Sequence, residues 1–103
     1  MAGYKYKVTV EKVEDRHGNP AEGEQISFHC ENHDDILAIV ERLNGHPSLS
    51  FEGDERVAFA VGLKLFGETL LKHRSDPVFE PLKDHFKPFM MGLKGGFKPD
   101  TTE

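Results

Sequence analysis

The chain has 103 residues, a hydrophobic fraction of 37% and a formal net charge of −5, bounds that fit one small globular domain with polar loops. No apolar run approaches the roughly 18–20 residues of a membrane span, and the opening MAGYKYKV carries no apolar signal segment. A single cysteine excludes an internal disulfide, so a reducing cytoplasm is the expected setting.

YKYKVTVEKV (4–13) sets Tyr4, Tyr6, Val8 and Val10 against Lys5, Lys7, Thr9 and Glu11, the period-two pattern of a half-buried strand. EDRHGNPAEGE (14–24) must be the turn: Gly18 and Asn19 suit turn geometry, and Pro20 is expected to stop the next residue from pairing. EQISFHC (24–30) alternates again, with Ile26, Phe28 and Cys30 on one face. A β-hairpin therefore comes first in the chain.

FHCENHDD (28–35) is the densest cluster of metal-ligand residue types, with two histidines, a cysteine and three acids. In an extended strand His29 and Cys30 point to opposite faces and cannot easily grip one ion together. Cys30 is expected to follow Ile26 and Phe28 into the core, where a free cysteine acts as a small hydrophobe. Asn32 reads as the N-cap of the next helix, with Asp34 and Asp35 in its first turn, at the positive end of the helix dipole. The alternative is a metal or small-molecule site built from His29, His33, Asp34 and Asp35. Tetrahedral zinc sites draw on a second ligand pair, and none is evident in the sequence, so no cofactor is expected.

Ile36, Ile39, Val40 and Leu43 form the apolar stripe of a helix over 36–43, with Gly45 as its stop. The loop HPSLSFEG (46–53) should tuck Leu49 and Phe51 against the core, and Asp54 should cap a second helix, DERVAFAVGLKLFGETLLKHR. Between Val57 and Phe66 only Lys64 is charged, so this helix is apolar round nearly its whole circumference and is expected to be buried all round. Gly62 and Gly67 would admit close approach by another backbone. A chain this short has little material to cover such a helix, and an isolated hairpin is marginal, so a homodimer is expected.

Ser75 or Asp76 caps a third helical region opened by Pro77. Phe79, Leu82, Phe86, Phe89 or Met90, and Leu93 recur every three or four residues, with a short turn before Pro81 and a bend near Pro88. Residues 4–94 read as one domain and 95–103 as a frayed, flexible tail.

Catalytic motifs are missing. No glycine-rich phosphate loop is present, the serines lack a nucleophile motif, and the six histidines are scattered. An acidic chain is also a poor nucleic-acid binder. Residues 72–98 do carry six Lys+Arg against three Asp+Glu, and Lys72, Arg74, Lys83 and Lys87 are the residues that such binding would use. The leading functional reading is a non-catalytic protein-interaction or regulatory module, acting as a homodimer and meeting a further protein partner. Its surface is drawn from Phe59, Leu63 and Phe66 on the second helix or Phe86, Phe89 and Met90 on the third.

Taken together, YKYKVTV, EDRHGNP, F-x-C-ENHDD, FAVGLKLFGETLLKHR and PVFEPLKDHFKPFM resemble a family of short bacterial proteins grouped as a domain of unknown function. The resemblance spans about residues 4–94 and rests on several segments in the right order. It implies a compact α+β protein with no established activity and supplies no catalytic residues. The fold expected is α+β, an N-terminal β-hairpin followed by three helices (ββααα), the hairpin packed on the helices.

Overall fold

Hydrophobic alternation gives way to helical periodicity at residue 35, and the secondary structure changes with it. The computed structural model describes residues 3–43 and 49–97, with side chains as far as Leu93. The chain runs β1 (Tyr4–Glu11), β2 (Gln25–Asn32), α1 (Ile36–Leu43), α2 (Asp54–Lys72), a 3-10 helix (Pro77–Leu82) and α3 (Lys83–Phe97). This is the expected hairpin followed by three helices. It divides into two compact units, one ending at Asp34 and the other beginning at Asp35.

In the first unit β1 and β2 pair antiparallel, with Tyr6 opposite Cys30, Val8 opposite Phe28 and Val10 opposite Ile26. This register collects the apolar side chains on one face of the sheet. The other face is polar, with Lys7 opposite His29 and a hydroxyl pair, Thr9 Oγ1 to Ser27 Oγ, at 2.8 Å. Pairing continues irregularly beyond the strands. Lys12 N donates to Glu24 O at 2.9 Å, and Lys12 and Glu24 also form an ion pair. Contrary to the sequence expectation, Pro20 does not end the pairing: it bridges to Glu14, and Ala21 N donates to Val13 O at 2.9 Å. Proline lacks only its own N–H, so its carbonyl and its neighbour's amide remain free to pair.

Asp15 closes the tip. Its Oδ1 accepts from the backbone N–H of His17 and of Asn19, each at 2.9 Å, and Gly18 adopts φ 86°, a left-handed conformation that glycine takes without steric penalty. Hydrogen bonds from the Asn19 and His17 amides hold the Asp15 carboxyl below its ordinary pKa.

In the second unit the α1 stripe forms as expected, with Ile36, Ile39 and Leu43 buried and Val40 half-buried. Ile39, Leu43, Leu49 and Ala60 make the core, and Phe51 stands edge-on to Phe59 with ring centroids 5.4 Å apart. The helix starts differ from the sequence reading. Asn32 belongs to β2, where its Oδ1 accepts from Asp34 N at 2.9 Å, while Asp35 caps α1, its Oδ1 accepting from Ala38 N at 3.3 Å. The strand runs two residues further than expected and pushes the cap along the chain. Asp54 is the first residue of α2 rather than its cap. Gly53 precedes it at φ 69°, with no side-chain cap bond, so the turn into the helix uses glycine's backbone freedom. Asp76 does cap the 3-10 helix, accepting from Val78 N at 3.0 Å, and Pro81 lies inside that short turn.

Arg56, in the first turn of α2, is only 5% exposed. Its guanidinium donates to three backbone carbonyls: Nε to Phe51 O at 2.8 Å, Nη2 to Leu49 O at 2.9 Å, and Nη1 to Leu43 O. Leu43 ends α1, so the cation occupies the negative end of that helix and satisfies a carbonyl the helix leaves without an internal partner. The Gly45 stop and residues 46–48 of the expected loop lie outside the described residues. So do residues 98–103 of the expected tail, whereas 95–97 are the last residues of α3.

Two measurements check these local accounts. Replacing Arg56 with Ala removes the donor from two buried carbonyls and one part-buried carbonyl and should cost roughly 3 kcal/mol in chemical denaturation, since each unsatisfied buried group costs about 1–3 kcal/mol. Arg56→Lys should recover only part, because an ammonium lacks the planar fork. A depressed Asp15 pKa means that the carboxylate's contribution is full above the unfolded value of about 3.9 and is lost as pH falls through the lower folded value. Amide shifts of His17 and Asn19, followed by NMR, should therefore titrate below about pH 3.9 and stop doing so in Asp15→Asn.

Candidate functional site

Charge and apolar area fall in different places on the two units. On the hairpin, Tyr4, Val10, Ile26 and Phe28 share one face and are 51%, 58%, 62% and 40% exposed, while Tyr6, Val8 and Cys30 are half-buried. Phe28 and Ile26 were expected in the core, as was Cys30. The alternation put them on one face correctly, but none of the three is buried. Period two fixes which side of a strand a residue takes and says nothing about what covers that side.

The metal-ligand cluster divides along the same lines. His29 stands on the polar face opposite Lys7. His33 is exposed, with Nε2 3.5 Å from Asp34 Oδ2. The Asp35 carboxylate is engaged as the α1 cap. Among the described residues no group of three or more His, Cys, Asp and Glu side chains is placed to hold a metal ion.

On the helical unit, α2 departs from the expectation of burial all round: only Arg56 and Ala60 are buried, and Val57, Phe66 and Leu71 are exposed. Phe59 and Leu63 are half-buried and packed against the core. Phe66 is 42% exposed and joins an aromatic chain, edge-on to Phe79 at 5.9 Å and to Phe86 at 6.0 Å. Phe86 continues to Phe89 at 6.2 Å, and Phe89 is 46% exposed. Met90 packs partly against the core from α3.

A groove of about 400 Å³ opens beside this aromatic chain. Gly67, Leu70 and Leu71 of α2, Phe79 and Leu82 of the 3-10 helix, and Phe86 and Met90 of α3 make its apolar walls. Arg74, Lys83 and Lys87 also line it, and none of its described lining residues is acidic. The volume lies in the range of small-ligand and peptide clefts, which are apolar with a few placed polar groups. The helix-three residues Phe86 and Met90 thus come together with three of the four cations singled out for nucleic acid, while Lys72 lies 3.9 Å from Glu68. Sequence reading took Gly67 only as a point of backbone approach and did not pick out Leu70 and Leu71. The signal was their spacing on one side of α2, with Arg74 in the turn that follows, obscured because the whole helix looked apolar.

Residues 4–95 match a family described as a domain of unknown function with a solved structure, DUF3861. A crystal structure of a protein of unknown function from Pectobacterium atrosepticum SCRI1043 is similar over 89% of this chain and 97% of its own, at 34% identity and a TM-score of 0.75. No curated protein matches. Among the described residues no helix is long and apolar enough to cross a membrane.

Helix α2 supplies a direct check on what touches it. A Cβ added at Gly62 meets nothing within 4 Å, so the close backbone approach expected there is not made among the described residues. Gly62→Ala should therefore raise stability by about 0.8–1 kcal/mol through helix propensity alone. A loss of stability on denaturation would show that something packs on Gly62.

Proposed function

The chain belongs to the DUF3861 family, and on that footing we propose that it is a non-catalytic protein-interaction or regulatory module that acts as a homodimer. The observation that carries this reading is the apolar face of the hairpin, where Val10, Ile26 and Phe28 are exposed next to one another and Tyr4 is exposed at the far end. Contiguous apolar patches of this kind mark contact surfaces, and a two-stranded sheet is marginal until its apolar face is covered. A second copy is the simplest cover. A twofold axis brings the same patch to both sides, so each Phe28 side chain is buried by the partner's hairpin. A cytoplasmic setting belongs to the same proposal and rests on the lone cysteine, which sits half-buried in β2.

Non-catalytic action is supported by what the chemistry-bearing residues do. Asp15 and Asp35 hold turns and caps, Arg56 holds backbone carbonyls, and the groove joins apolar walls to three cations. The helical unit then carries the contact to a further protein.

Native mass spectrometry and light scattering test the dimer. Wild-type protein should have twice the chain mass. Phe28→Asp, at an exposed position, should give a folded monomer with unchanged far-ultraviolet circular dichroism. A wild-type monomer at high concentration would contradict the proposal, and so would a Phe28→Asp dimer.

A further inference from the structure

We propose that the groove between α2, the 3-10 helix and α3 is a docking site for an acidic amphipathic segment of another protein. It takes large apolar side chains on its floor and Asp or Glu carboxylates on its rim. The inference deepens the interaction-module reading by naming the partner's chemistry, but it uses a different unit from the dimer contact and can fail separately.

Charge complementarity selects the occupant. Around walls of leucine, phenylalanine and methionine the described lining offers only positive charge, Arg74 from the turn after α2 and Lys83 and Lys87 from α3. Lys83 and Lys87 lie one helical turn apart, so their ammonium groups repeat at the spacing at which acidic residues recur along one face of a helix. The local charge opposes the chain's own balance of −5, so a second copy, acidic overall, is drawn to the groove far less specifically than a segment that places carboxylates beside its apolar residues. Nucleic acid fits poorly. Phosphate tracking needs a run of cations with no apolar floor between them, whereas here carbon separates Arg74 from the lysines.

The floor has the properties of a peptide groove rather than of core. Phe79, Phe86 and Met90 are only half-buried. Gly67 leaves open space where any other residue would place a Cβ, and nothing lies within 4 Å of that position. An amphipathic helix laid in a groove uses anchors at i, i+3, i+4 and i+7, which matches an open cleft lined from three elements.

The test uses the full chain and fluorescein-labelled synthetic helical peptides with Leu and Phe at those anchor positions. One peptide carries Glu on its flanks and the other Lys. Anisotropy should show binding of the Glu peptide that weakens as salt rises, and no comparable binding of the Lys peptide. Lys83→Glu with Lys87→Glu should weaken the Glu peptide by about tenfold, as two exposed ion pairs turned repulsive would. Gly67→Leu, which fills the groove from a position with open space, should abolish binding while thermal stability is kept. Equal binding of both peptides, or binding of neither, overturns the proposal. So does displacement of the Glu peptide by dodecanoate at lower concentration than peptide itself requires, which would make the groove a fatty-acid site. Dimer mass should be unchanged in all groove variants. A monomer in Gly67→Leu would place the second copy in the groove and overturn the assignment, whereas a wild-type monomer that still binds the Glu peptide would sink the dimer alone.

Discussion

One buried arginine organises the helical unit. Arg56 binds the last carbonyl of α1 and two carbonyls of the segment that leads into α2, so a single side chain fixes where one helix ends and the next begins. A buried cation is costly unless its donors are used, and here the partners among the described residues are carbonyls, one of them at the negative end of a helix. With that corner held, Leu49 lies in the core beside Leu43 and Ala60, and Phe51 reaches Phe59. The direction of α2 follows from the corner, and the groove farther along α2 inherits it.

The small core has a consequence for the surface. Among the described residues few large apolar side chains are fully buried; some of the remainder lie on one sheet face and around one groove, while others, such as Leu37, Val57 and Val78, are exposed elsewhere. The two surfaces differ in kind. The sheet face is apolar, with Tyr4 at one end, and is where a second copy is proposed. The groove is concave and rimmed by cations, and suits a partner of opposite charge.

Much of this was legible in the residues. Alternation at Tyr4–Val10 and Ile26–Cys30 gave both strands and the face each side chain takes, and the spacing of Ile36, Ile39 and Leu43 gave α1 and its buried stripe. Caps were legible in kind and misplaced in position: Asp35 does what was expected of Asn32, because backbone pairing with Tyr4 keeps Asn32 in the strand. Burial of α2 was misread, since hydrophobicity round a helix measures a demand for cover and cannot tell whether the same chain meets it. Arg56 was invisible because its role depends on carbonyls that only the folded chain brings within reach. The groove was half visible, as the aromatic spacing of α3 and the cations of 72–87, which looked like separate features until three elements closed around them.

The central claim, that a second copy covers the hairpin's apolar face, is tested most directly by hydrogen exchange across a dilution series. The account predicts that amides of Tyr4–Glu11 and Gln25–Asn32 lose protection as the protein is diluted through dissociation, while those of α2 and α3 around the groove do not change. Strand protection that is independent of concentration would contradict it.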